Sequence, residues 1–371
     1  MAVAVFCCAT FAGRGQIVNR LHVNDGIFQR YASHRIQQYN PDNLAFADSL
    51  YRYGKSRDNF RYCALALSLE FPVRFALEEY DRMDEAVEEM KSLLAGHPDT
   101  RDFYYATVNE YCQYLIYIGR ASDAMLEARG MERMAGEERS ALGRMYSHRI
   151  IGLIQSYRSN TWLAIQNFTQ AADYCKEARA EQELPNLLIL IAQEYIKMKD
   201  FGPALSYCEQ AEFYQDYFPT VRLKARMTRA YLYNAQGDWP AFWNTYDALV
   251  SDPLYKVQTD QDARFSMDVA YLRSRGLFEQ ALAKADSLGT ARDRYDKKHG
   301  IYADQGRFQP AYGELSSLMT EKDSLYIKVQ NEDLAILDAE MNNARLREEA
   351  ERLRHQNQNT ILIGFLVMFG I

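Results

Sequence analysis

The sequence predicts an all-α fold, with helical hairpins stacked as a repeat array and then one long helix. Three observations carry this. Small or apolar residues recur at a near-constant spacing over about two thirds of the chain. Only 9 prolines occur in 371 residues, and runs that alternate apolar and polar residues as strands do are scarce. Beyond Pro310 no proline occurs up to Asn357, and beyond Gly313 no glycine. At 371 residues and 48% hydrophobic content the chain has ample material for two or three domains or one elongated array.

The first dozen residues, Met1 to Ala12, are apolar and small, like the apolar half of a secretory signal, with Thr10 and Ala12 before a cleavage point. A positive n-region is missing, since the first basic residue is Arg14. Two readings of residues 1–16 stand: a signal-like segment, or an apolar N-terminus. Residues 17–60 are less regular. Helices are expected near Ile17–Gln38 and Asp42–Tyr53, broken at Asn40-Pro41, as an atypical cap on the array.

From residue 61 to 314 the repeat is explicit. Anchors stand at Ala86, Ala124, Ala164, Ala204, Phe242, Ala281 and Ala311, with gaps of 38, 40, 40, 38, 39 and 30. Twelve residues before each lie Arg74, Cys112, Gly152, Ala192, Ala230, Val269 and His299. Seven residues after lie Leu93, Met131, Ala171, Ala211, Leu249, Leu288 and Leu318. Antiparallel helices approach closely only over small side chains, so these offsets mark facing sides of a hairpin and its neighbour. Turn residues fall between the helices at Asn160, Lys199-Asp200, Gly237-Asp238, Arg275-Gly276 and Gly306-Arg307. The aromatics that follow, Phe201, Trp239, Phe278 and Phe308, are expected to plug each hairpin's open end. Phe242, with Ala241 beside it, implies a shifted helix there.

The pattern resembles the tetratricopeptide repeat family, best at Ala192, Tyr195, Asp200, Phe201, Ala204 and Ala211, and next at Gly152, Ala164, Phe168 and Ala171. The period is nearer 39 than the family's usual 34, so helices or connecting turns are longer. The resemblance implies a right-handed solenoid in which the first helix of each hairpin lines a concave face. Carried over residue by residue, that face holds Gln113, Tyr117, Arg149, Tyr157, Gln193, Lys197, Tyr231 and Asn234. Tyrosine and arginine suit recognition because they combine contact area with a polar tip. The implied partner is a protein or peptide, with a glycan as an alternative. Packing between helices is the competing role for any one of the 27 tyrosines.

Residues 315–358 read as a coiled-coil helix, within a single helix from Gln309 to Asn357 of roughly 70 Å. Heptad d positions are Leu318, Leu325, Glu332, Ala339, Leu346 and Leu353, and a positions are Lys322, Val329, Ile336, Asn343, Ala350 and Asn357. A homodimer through 318–357 is expected, with Asn343 favouring two in-register strands. Leu334, Leu337 and Met341 form a second stripe, expected to dock on the last repeat. Residues 360–371 are apolar and uncharged, and read as the first half of a membrane helix, which needs roughly 20 such residues.

No chemistry-bearing motif stands out. The histidines lack metal spacing, no Cys-x-x-Cys occurs, and neither a phosphate loop nor a nucleophile elbow is present. The sequence thus assigns no catalytic residue, cofactor or metal. His355 lacks the acidic neighbour of a phosphoacceptor. Cys63, Cys112, Cys175 and Cys208 are expected as small buried groups. A net charge of −7 argues against a nucleic-acid surface. The order of segments resembles the input half of bacterial membrane receptors with periplasmic tetratricopeptide repeats, in which a histidine-kinase or helix-turn-helix output follows the membrane. That resemblance implies the bacterial inner membrane with the solenoid in the periplasm. Arg345, Arg347, Arg352 and Arg354 before the apolar run support the alternative, a solenoid on the cytoplasmic face. A membrane-anchored scaffold without output is the other functional reading.

Overall fold

The computed structural model describes residues 23–36, 39–214, 219–259 and 261–368. The expected signal-like segment 1–16 lies outside them. Among the described residues every regular element is helical and none is a strand. The helices pair in chain order as hairpins: α1 (Asp25–Ile36) with α2 (Asn43–Ser56), α3 (Phe60–Ala76) with α4 (Tyr80–Ala95), and α5 (Arg101–Tyr117) with α6 (Ala121–Glu137). There follow α7 (Ala141–Tyr157) with α8 (Thr161–Glu177), and α9 (Leu184–Lys197) with α10 (Phe201–Glu212). Next come α11 (Pro219–Gln236) with α12 (Trp239–Val250), a one-turn α13 (Tyr255–Gln258), and α14 (Gln261–Ser274) with α15 (Phe278–Asp286). Last are α16 (Ala291–Asp304) and the 61-residue α17 (Phe308–Met368).

Each second helix packs on the first helix of the next hairpin, as α2 does on α3, α6 on α7 and α8 on α9. First helices also touch one another: α5 meets α7, α9 meets α11, and α14 meets α16. The result is a repeat-like solenoid with a first-helix layer, and its core is a string of clusters straddling neighbouring units. The compact unit runs to Thr320, and the rest of α17 is a separate unit.

The spacing of the anchors is explained by burial. Ala124, Ala164, Ala204, Phe242 and Ala281 are wholly inaccessible, and Ala86 and Ala311 are nearly so. A Cβ built on Gly152 would stand 2.5 Å from the ring of Phe168, so only glycine allows this crossing without movement. Phe242 corrects one expectation. The helix is not shifted, because the ring itself occupies the anchor slot, fully buried among Leu223, Met227 and Met267. The long period is met in α5 to α8 by helices of 17 residues each.

The turns share one device. Every first-to-second connection from α3 onward has a residue in left-handed backbone: Glu78, Gly119, Ser159, Lys199, Gly237, Gly276 and Gly306. Asp58, Arg139 and Arg179 do the same between hairpins. In each case the next N–H reaches the carbonyl five residues back, as Glu79 does to Arg74, Asp200 to Tyr195 and Arg307 to Tyr302, at 2.7–3.0 Å across the ten ends. This Schellman closure satisfies carbonyls that a helix end leaves bare. Side-chain caps start several helices: Asn59 accepts from the Arg61 N–H, Ser140 from Gly143, Asp238 from Ala241 and Thr290 from Asp293.

The aromatic plugs hold only in part. Phe278 packs against the α14–α16 cluster, whereas Trp239 is 40% and Phe308 75% exposed. At the first turn of a second helix the side chain points toward the helix N-terminus, and in these two hairpins that direction leads to solvent. On the separate unit of α17, Leu334 and Met341 of the second stripe are more than 60% exposed. The side chain of Leu337 lies outside the described residues. Leu318 is buried at 3% and belongs to the solenoid core. The helix continues through the apolar run to Met368, whose side chains lie outside the described residues, as do residues 369–371. No helix among the described residues is long and apolar enough to cross a membrane.

Candidate functional site

The first-helix layer holds most of the polar atoms buried between hairpins. They pair one repeat apart. Ser156 on α7 donates to Glu194 Oε1 on α9 at 2.7 Å, 38 residues on. Lys224 Nζ on α11 donates to Asn186 Oδ1 on α9 at 2.9 Å, again 38 residues apart. Tyr146 and Arg149 on α7 both reach Glu183, which precedes α9, at 3.4 Å. Gln193 Nε2 donates to Thr228 Oγ1 at 3.3 Å. At the N-terminal end Arg35 ion-pairs with Glu110, which also accepts from the Tyr114 hydroxyl at 3.1 Å.

This seam accounts for several of the eight predicted residues. Arg149 is buried and held by Glu183. Gln193 spans to α11, and Gln113 turns back to the Asn109 carbonyl on its own helix at 3.2 Å. Lys197 donates to Ser156 Oγ at 2.7 Å and ion-pairs with Glu194, while its side chain stays 25% exposed. Tyr231 packs against the α11–α14 cluster. Tyr157 and Asn234 are half-buried near the ends of α7 and α11. Tyr117 is the most open at 58% and stands edge-on to Phe75. The structure thus joins Lys197 and Gln193 to neighbouring hairpins and leaves Tyr117 at a hairpin tip.

Ser156, Glu194, Glu183, Asn186, Thr228 and Glu110 were not predicted. A signal was present: complementary polar residues 35 to 38 positions apart, one repeat length.

Electrostatics at Lys197 limit what the seam can do. Burial lowers its proton affinity, Glu194 works against that, and Arg292 on α16 lowers it further. Ser156 is only 9% exposed, donates a hydrogen bond to Glu194 and accepts one from Lys197. A nucleophilic serine needs an accessible hydroxyl beside a neutral base. Here the hydroxyl is covered. The trio is a linker between hairpins with one accessible cation. Glu194 Oε2, Asn109 Oδ1 and Arg149 Nε are buried without a hydrogen-bond partner, so the seam has polar capacity left over.

The four thiols Cys63, Cys112, Cys175 and Cys208 are buried and unpaired with one another. Burial pushes Cys175 and Cys208 up to about 12, which keeps them as inert thiols. Among the described residues no group of three histidine, cysteine or carboxylate side chains could hold a metal ion. No family model matches the chain, and no curated protein resembles it significantly.

Proposed function

We propose that this chain is the binding region of a membrane-anchored, tetratricopeptide-like receptor. Its first-helix face takes a protein or peptide partner, with a glycan as the second choice, and no nucleic acid. The observation that carries the reading is a polar seam along the first helices with half-accessible Gln193, Lys197 and Tyr231. Extended polar faces of this kind are what helical repeat arrays offer to ligands.

In this reading α17 beyond Leu318, which the solenoid core takes up, pairs with a second copy as far as Asn357 and passes partner binding to an output domain beyond the apolar run. The solenoid then sits in the periplasm of a bacterial inner-membrane protein, with the cytoplasmic face as the alternative placement. Support comes from the exposed side chain of Leu353 at a d position of α17, which a partner helix would cover. A scaffold without output uses the same face and differs only in lacking the transmitted signal.

Photo-crosslinkers at Tyr117 and Tyr231 test the binding face in cells, with Gln210 on the second helix of its hairpin as control. Adducts at the first two positions and none at Gln210 are expected. Equal labelling at all three would sink the assignment. For the rod, Leu346→Cys and Leu353→Cys should form intermolecular disulfides while Glu348→Cys should not, and no such periodicity would remove the dimer.

A further inference from the structure

Helix α11 carries a second polar stripe. Arg222, Arg226 and Arg229 recur at steps of four and three. At 100° per residue this stripe lies on the side of α11 opposite Lys224, Thr228 and Tyr231, so it is separate from the first-helix seam. The three arginines form one wall of an open cleft of about 490 Å³. The facing wall, on α12, includes the small residues Ala241 and Ala248 and the exposed Asn244.

The charges do not balance within the cleft. Arg222 and Arg226 share one carboxylate, Asp252, at 3.1 and 3.6 Å. Arg229 contacts both oxygens of Glu212 at 2.8 and 3.0 Å. Three guanidinium groups thus meet two carboxylates, on a chain whose net charge is −7. Arg222 Nε and Arg229 Nε are buried donors with no hydrogen-bond partner. Arg226 is the most loosely held, with a 3.3 Å bond to the Ala248 carbonyl beside its long ion pair. Surplus positive charge and a small-residue wall leave room for an anion. The guanidinium fork matches tetrahedral oxyanions better than a point charge does. The volume falls in the range of small-ligand sites, roughly 300–1,000 Å³, and exceeds what a bare ion needs.

We propose that this cleft binds a small ligand bearing a phosphate or sulfate group, with Arg226 and Arg229 on the oxyanion and Asn244 beside the group it is attached to. The site does not depend on the receptor reading above.

Calorimetric titration of the full chain with phenyl phosphate and phenyl sulfate, at constant ionic strength balanced with chloride, tests it. Saturable binding with Kd below about 1 mM is expected for at least one of them. Tighter phosphate binding assigns phosphorylated ligands, and equal or tighter sulfate binding assigns sulfated ones. Arg226→Gln should weaken the bound ester at least about 10-fold. Asn244→Asp breaks no ion pair, adds a negative charge at the cleft, and should weaken binding by about 10-fold at unchanged Tm. Heats no different from chloride, or wild-type affinity in Asn244→Asp, would overturn the proposal whatever the folding of Arg226→Gln.

Discussion

Hairpins α5–α8 and hairpins α9–α15 keep similar repeat lengths by different means. In the first group all four helices have 17 residues, and the linker between the hairpins, 138–140, is a tight turn. In the second group the second helices shrink to 12, 12 and 9 residues, and connecting stretches such as 251–259, which holds the one-turn α13, supply the missing length. Periodicity therefore constrains where buried contacts fall, and leaves open whether helix or loop fills the interval. The contacts themselves differ as well. A glycine lets α7 and α8 touch, whereas α11 and α12 are spaced by the ring of Phe242.

The largest expected effect breaks that contrast at its loose end. Phe242→Ala restores the alanine found at the other anchors, yet should cost about 3–5 kcal/mol, because the neighbouring helices are set for a ring. Urea unfolding measures it. A loss under about 1 kcal/mol would mean that α12 re-docks as α8 does, and that the two regions are interchangeable.

At the tight end, Gly152→Ala should cost about 1–3 kcal/mol by overpacking against Phe168. The usual result for glycine in a helix interior is a gain of about 0.5–1 kcal/mol, so the sign of the change is the readout. Stabilisation would show that the α7–α8 crossing has slack.

The smallest effect sharpens the part that both regions share. Arg139→Gly, near the tight pair, and Lys199→Gly, in the looser one, each replace a left-handed side chain at φ 54° and 60°. A gain of up to about 1 kcal/mol in Tm-derived stability is expected at each. A loss at either would show that the side chain has a role beyond its backbone.

Helix pairing, the anchors and most hairpin turns were legible in the sequence because each depends on local steric need. Small residues mark helix crossings, and glycine or a polar residue marks a left-handed end. Glu78 and Arg139 escaped notice because side chains that rarely adopt this backbone give no compositional cue. The register of Phe242 was misread for a related reason: apolar size does not reveal which helices can move apart to receive it. Of the candidate face, the positions on first helices were legible, but not their commitments. Arg149 reads as an open recognition residue until Glu183 is seen beside it. The cleft on α11 was invisible for another reason, since Glu212 and Asp252, which hold its arginines, come from outside that helix.

The pairing of Arg35 with Glu110 reaches past a whole hairpin, from α1 to α5, with both side chains 10% exposed or less. Arrays whose units touch only adjacent units fray from their ends one unit at a time. A tie that skips a unit forbids this at the N-terminus. The opening three hairpins should melt as a single block, so amides in α1 should exchange hydrogen no faster than those in α3.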